Sequence, residues 1–156
     1  MTPDIYSDKR FGINHKSISK NALNIISILQ KSGFQAYIVG GGIRDMIKGL
    51  KPKDFDIVTN CEPEEIRKIF RNSRIIGRRF KLVHIAFADE IIEATTFRAG
   101  GTKTTESIEI NEKGRIVRDN NWGTQEEDVL RRDLTINSIY YDCLLYTSPS
   151  PRDRRL

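Results

Sequence analysis

The chain has 156 residues, 38% of them hydrophobic and 30% charged, and carries a formal net charge of +5. That length supports one principal domain with a real core, and the balance of apolar and charged residues excludes collagen-like, low-complexity and disulfide-framework classes. No apolar run approaches the roughly 20 residues of a membrane span, and the amino-terminal stretch "MTPDIYSDKRFGINHKSISKN" lacks a secretory apolar core, so the expected location is the cytoplasm, with no membrane partner.

Residues 1–16 show no periodicity and read as a flexible lead-in. From Ser17 to Lys31, the residues Ile18, Ala22, Ile25, Ile26 and Leu29 recur at helical spacing, and Ser32-Gly33 supplies a stop. "QAYIV", Gln35 to Val39, reads as a buried strand that runs into three glycines, and "IRDMIKG" fits a short helix starting at that glycine turn. "DFDIVT", Asp54 to Thr59, alternates as a strand, with Phe55 and Ile57 on one face and Asp54 and Asp56 on the other. Pro63 followed by "EEIRKIF" predicts a helix with acidic residues early and basic ones late, as the macrodipole prefers.

"RIIG", "LVHIAF" and "IIEATTF" predict three more strands. The stretch from Arg98 to Asn121 is rich in Gly, Thr, Asn and charge, and reads as a mobile loop with one weak hairpin around Gly114. "TQEEDVLRRDLTINSIYYD" reads as a helix throughout, with Thr124 and Glu127 spaced as a capping box. The expected fold class is α+β, a mixed sheet flanked by helices. Residues 143–156, "CLLYTSPSPRDRRL", break the pattern and are similar to translated adapter read-through, so they are expected to be foreign to a domain spanning 17–142. Cys61 and Cys143 stand in no metal-binding spacing and read as reduced thiols.

Three features carry chemistry. Two carboxylates at i and i+2 on one strand face, Asp54 and Asp56, repel each other unless a cation sits between them, which favours a hard divalent ion such as magnesium, although an isolated D-x-D is usually a solvated pair. The glycines at 40–42 lie between a strand and a helix, where backbone amides converge on phosphate, or where the chain merely turns tightly. Glu93, flanked by Ile91, Ile92 and Ala94, is either a solvent-facing edge residue or a third metal contact. With the aspartates it would complete the carboxylate set of two-metal phosphoryl transfer.

Four ordered blocks, "YIVGGGIRDMIKGLKPKDFDIVTN", "RNSRIIGRRFKLVHIAF", "EIIEATTFR" and "GTQEEDVLRRDLTINSIYYD", resemble the catalytic head of the polymerase-beta-type nucleotidyltransferases, in the branch that holds bacterial poly(A) polymerase and the tRNA CCA-adding enzymes. The resemblance covers Ser17 to Asp142. The blocks "GRRFKLVHIAF" and "WGTQEEDVLRRDLTINSIYYD" are more similar to the poly(A) polymerase side of the branch.

The resemblance implies roles residue by residue. Asp54 and Asp56 match the metal-binding pair and Glu93 the third acidic position, holding two magnesium ions. Gly40 and Gly41 match the glycine pair that approaches the triphosphate, followed by Arg44 and Asp45, although Asp45 could also cap a helix start. Arg131, Arg132 and Asp133 match the block near the nucleotide, with Asp133 assisting chemistry or nucleotide contact. On a bare helix the two arginines would read as a solvated face. Arg78, Arg79 and Lys81 form a basic cluster near phosphate or RNA backbone. His84 reads as a structural, hydrogen-bonded histidine. The implied enzyme is a polynucleotide adenylyltransferase that moves AMP from ATP to the 3′-hydroxyl of RNA. The alternatives are a CCA-adding or A-adding tRNA nucleotidyltransferase and a non-catalytic nucleotide- or RNA-binding module. The last gains nothing from three carboxylates facing an anion.

Overall fold

The computed structural model describes residues 4–99, 108–110, 116–119, 121–132 and 138–143. Helix α1 (Lys20–Lys31) is capped by the Ser19 side chain, which accepts from the Ala22 amide, and it buries Ala22, Ile25, Ile26 and Leu29. Its apolar stripe is the one the 3.6-residue period requires. Strand β1 (Ala36–Val39) leads through Gly40 into α2 (Gly41–Ile47); β2 (Asp56–Thr59) and α3 (Pro63–Ile69) follow. Then come β3 (Ser73–Ile76), β4 (Leu82–Ala86), β5 (Ile91–Thr96), the two-stranded pair β6 (Ile108–Ile110) and β7 (Ile116–Asp119), and α4 (Gln125–Arg131).

Five strands form one mixed sheet in the order β1-β2-β5-β4-β3, with β2 and β5 parallel and the other neighbours antiparallel. Ile38, Ile57, Ala94 and Val83 stand in register across β1, β2, β5 and β4 and are fully buried in the main core, together with the apolar face of α1 and Ile66 of α3. Each buried Ile or Val side chain contributes about 1.5–3 kcal/mol by leaving water. A smaller cluster of Val39, Val58, Phe97 and Tyr140, with Val129 of α4 packed against it, covers part of the other sheet face. The mixed α+β sheet flanked by helices is the fold class read from the sequence. The hairpin placed around Gly114 is β6 and β7, paired antiparallel with a register shift between Glu109 and Ile110. The remainder of the 98–121 loop lies largely outside the described residues.

One expectation needs correction, the helix after Thr124, and two segment boundaries gain detail. The lead-in is not unstructured from residue 4 onward: it makes 3-10 turns at Asp8–Phe11 and His15–Ser17 and sends Ile13 into the core. Two or three apolar residues suffice to anchor such a segment, and so few leave no periodicity to read.

Among the described residues, the helix expected from Thr124 to Asp142 is α4. Its capping box is present, with the Thr124 hydroxyl accepting from the Glu127 amide at 3.3 Å and the Glu127 carboxylate accepting from the Thr124 amide at 2.9 Å. The chain is already extended at Arg132, and Tyr141 then pairs with the outer edge of β1, its amide donating to Ile38 O at 2.9 Å and Ile38 N donating back at 3.0 Å. An unpaired strand edge next to the core needs such a partner, and that demand overrides the helical pattern. Tyr141 is therefore buried, not the exposed end of a helix.

The segment set apart as foreign begins at Cys143, yet Cys143 is packed in the main core; residues 144–156 lie outside the described residues. Cys61 and Cys143 are free, buried thiols, and burial pushes the Cys61 thiol up to about 12. Among the described residues no helix is long and apolar enough to cross a membrane.

Candidate active site

The register that packs the core also sets out a polar row. Val39 pairs with Asp56, Asp56 with Glu93, Glu93 with His84, and His84 with Arg74, on four consecutive strand contacts. Because side chains alternate between sheet faces, these groups share the face opposite Ile57 and Ala94. Asp56 is the first residue of β2, so Asp54 precedes the strand instead of sitting within it. The reason is at β1: Val39 is its last paired residue, and Gly40 then turns the chain away, leaving nothing on that side for Asp54 to pair with. The burial alternation nevertheless continues through the segment, with Asp54 exposed, Phe55 buried and Asp56 half-buried.

Gly40 makes this arrangement possible. Its backbone lies at φ 79° and ψ −154°, a region that essentially only glycine occupies, and a Cβ there would stand 2.9 Å from Asp56 Oδ2. The turn thus lies directly against the carboxylate. Asp54's backbone oxygen is as close to Gly42, where a Cβ would meet it at 3.0 Å. Sequence proximity of the glycine turn and the D-x-D becomes spatial contact.

Asp56 holds its proton above the ordinary carboxylate range. Burial is the main cause, the charges of Glu93 and Asp54 add to it, and Arg132 opposes them. The charges of Glu93 and Asp54 thus both act on Asp56, as in a like-charge cluster that a cation would relieve. Among the described residues, however, no three His, Cys, Asp or Glu side chains are arranged to hold a metal ion as they stand. Glu93 is turned instead toward His84, with Oε2 3.5 Å from Nε2. The expected metal set is present as a set of neighbours and not as a formed cage. His84, read as structural, is the direct neighbour of the third carboxylate, an adjacency that depends on β4–β5 register.

Arg131 and Arg132 do not form a solvated helix face. Both close on Asp128, which is fully buried: Arg131 Nε and Nη2 reach Oδ1 at 2.9 and 2.8 Å, and Arg132 Nε and Nη2 reach Oδ2 at 3.0 and 2.9 Å. The Tyr140 hydroxyl donates to Oδ2 at 2.6 Å and the Arg98 amide to Oδ1 at 3.1 Å. Burial alone would raise the Asp128 pKa, but the hydrogen bond from Tyr140 and the two guanidinium charges win, and it lies below the ordinary range. Asp128 was missed in the sequence; its signal was the i, i+3 and i, i+4 spacing to the arginines.

Of the other site residues, Arg44 lies against the glycine turn, its Nη2 3.3 Å from where a Cβ on Gly41 would stand. Arg44 and Asp45 lie on α2 with their charges 3.6 Å apart, and because α2 begins at Gly41, Asp45 does not cap its start. Arg78 and Arg79 are exposed in the β3–β4 loop, whereas Lys81 reaches Glu64 of α3 at 2.8 Å, so the basic cluster is divided. Asp133 lies outside the described residues. An open cavity of about 450 Å³ between the lead-in and the end of α2, lined by Asn14, Lys16, Met46 and Lys51 among others, shares no residue with the carboxylate row.

Comparison with known proteins shows the family. The Poly A polymerase head domain family matches residues 36–150, a range that extends past Asp142 into the segment set apart by composition. Poly(A) polymerase I of Salmonella typhi is 47% identical over 142 residues, 89% of this chain and 30% of that protein. The CC-adding tRNA nucleotidyltransferase of Halalkalibacterium halodurans is 35% identical over 122 residues, 78% of this chain and 26% of that protein. Among solved structures, the Bacillus stearothermophilus CCA-adding enzyme in complex with CTP superposes with a TM-score of 0.60 at 35% identity, covering 78% of this chain and 27% of that one. The chain spans about a third or less of the length of these relatives. Its fold, its ordered blocks and these matches together show that the chain belongs to the poly(A) polymerase head-domain family.

Proposed function

We propose that this head transfers AMP from ATP to the 3′-hydroxyl of an RNA, working in the cytoplasm as part of a longer polynucleotide adenylyltransferase. The observation that carries the reading is the in-register pair Asp56 and Glu93, with Asp54 beside them, lying against the Gly40 turn. Three neighbouring carboxylates next to bare backbone fit a ligand that is an anion accompanied by its cations.

In the reaction the RNA 3′-oxygen bonds to the α-phosphorus of ATP while the bond from that phosphorus to the bridging oxygen breaks, and pyrophosphate leaves. Asp54, Asp56 and Glu93 would hold the divalent cations, two magnesium ions by this reading, which when bound supply positive charge to the phosphates and lower the pKa of the attacking hydroxyl. The chain's own contribution is placement. Glycine at 40 and 41 lets the triphosphate approach backbone amides without a side chain between. Arg131 and Arg132 share one carboxylate partner, so the cluster keeps one net positive charge for the phosphates, with Asp133 next in the chain to contact nucleotide. Arg44 with Asp45 on α2 borders the turn, and exposed Arg78 and Arg79, with Lys81 nearby, suit RNA backbone.

Preference for poly(A) addition is supported by the higher identity to poly(A) polymerases, 47% against 35% for the CC-adding relative. The second reading, addition of CC, CCA or A to tRNA, is favoured by the likeness to a CCA-adding enzyme holding CTP. Primer extension by the native full-length protein, using labelled single-stranded RNA and a tRNA lacking its 3′ end, with each nucleoside triphosphate and magnesium, decides between them. Long adenylate ladders on generic RNA are expected. A short addition confined to tRNA would move the assignment to the second reading, and no transfer by the full-length protein would remove both.

A further inference from the structure

Asp128 is the most completely enclosed ionised group among the described residues, and its position relative to the carboxylate row gives it a role beyond stability. Its two oxygens take six donor contacts, three each: Arg98 N, Arg131 Nε and Arg131 Nη2 on Oδ1, and Arg132 Nε, Arg132 Nη2 and Tyr140 Oη on Oδ2. The donors come from three places: the end of β5, the last turn of α4, and the segment beyond α4 that also carries the β1 edge partner Tyr141. A planar carboxylate gripped in two forks fixes both guanidinium planes at once. Tyr140 locks Arg132 further, since Arg132 Nε also reaches its hydroxyl at 3.0 Å and the guanidinium lies 5.4 Å from its ring centroid.

The two arginines are held in different states. The Arg132 side chain is 14% exposed and bonds Tyr140, which packs with Val39, the register partner of Asp56, whereas the side chain of Arg131 is 33% exposed. One guanidinium is enclosed beside Tyr140, on the sheet face that carries the acidic row, and the other keeps an open side toward solvent. We propose that Asp128 is a positioning residue for nucleotide binding: it orients Arg131 and Arg132 as one rigid unit toward the triphosphate, while itself remaining out of reach of any ligand. This rests on the transferase reading above, and it assigns a role to a residue outside the Arg131–Asp133 block.

The test uses the native full-length protein. Steady-state transfer is measured for wild type, Asp128→Asn, Tyr140→Phe, Arg132→Ala and the double variant Asp128→Asn/Arg132→Ala, separating KM for ATP from kcat. Loss of one charge-assisted contact of this kind corresponds to about a tenfold or larger change in binding. Asp128→Asn is expected to raise KM for ATP about tenfold or more, Tyr140→Phe by a smaller factor of about two to five, and the double variant is expected to be no worse than Arg132→Ala. A purely structural role would instead lower the amount of active protein at unchanged KM, and the losses of Asp128→Asn and Arg132→Ala would add; either result overturns the proposal. If Asp128→Asn does not fold, Tyr140→Phe, which leaves every charge in place, decides by itself: an unchanged KM overturns the proposal and a raised one sustains it. Inactivity of the wild type would overturn the transferase reading and this proposal with it, whereas an active wild type with unchanged KM in the variants removes this proposal alone.

Discussion

Asp56→Asn is expected to reduce nucleotide transfer by at least about a thousandfold in the native full-length protein, with the head still folded. The argument has two sides. Asp56 is the centre of the row, in register with Glu93 and against the Gly40 turn, so no neighbour can replace its oxygens there. Folding, by contrast, gains nothing from its charge. Its pKa is raised, so the folded state binds the proton more tightly than the unfolded chain. The stability it contributes is therefore greatest below the ordinary carboxylate value and falls as pH rises through the higher folded value. At neutral pH in the absence of divalent ions, Asp56→Asn should melt at the same temperature as wild type or higher, and the difference should shrink in acid. Retained transfer would remove Asp56 from the chemistry, and a lower melting temperature at neutral pH would show that its charge is structural.

Asp128→Ala should show the opposite pairing, a large loss of stability of about 3–5 kcal/mol, the usual result of removing one partner from a buried ion pair. The substitution leaves Arg132, whose side chain is 14% exposed, without its main counter-charge, and leaves the Tyr140 hydroxyl without its acceptor in the second apolar cluster. The pH dependence follows from the depressed pKa of Asp128. Its contribution is present in full above the ordinary carboxylate value and is lost as pH falls through the lower folded value. Denaturant unfolding should thus give a constant gap between wild type and Asp128→Ala near neutral pH and a narrowing one under strong acid. A gap below about 1 kcal/mol at neutral pH would mean that the cluster is no more than an exposed ion pair in effect.

Much of the site was legible because it is written in local signals. The run from Gln35 to Val39 ends in glycine, the D-x-D alternates with Phe55, and Glu93 interrupts an apolar strand; each of these is a period-two pattern or a chain break, and only Asp54 falls outside its expected strand. What could not be read depends on contacts distant in sequence. Nothing near Asp54 says that β1 ends at Val39 and so withdraws its partner. The stretch from Thr124 to Asp142 reads as helical, yet the open edge of β1, about a hundred residues away, draws Tyr141 into a bridge to Ile38. The partner of His84 could not be read either, because Glu93 lies across a strand pair and not along the chain. Asp128 was hidden in "EEDV" among exposed acids, since only the docking of α4 on Phe97 and Tyr140 distinguishes a buried carboxylate from a solvated one.

The central claim, that Asp54, Asp56 and Glu93 together hold the divalent ions that accompany the nucleotide, is tested most directly by manganese titration of the native full-length protein. Electron paramagnetic resonance would count bound Mn²⁺ with and without a non-hydrolysable ATP analogue. The account predicts that wild type binds manganese, more tightly with the analogue present, and that Asp54→Asn and Asp56→Asn each lose that binding while keeping the fold by circular dichroism. Unchanged manganese binding in both folded variants would contradict it.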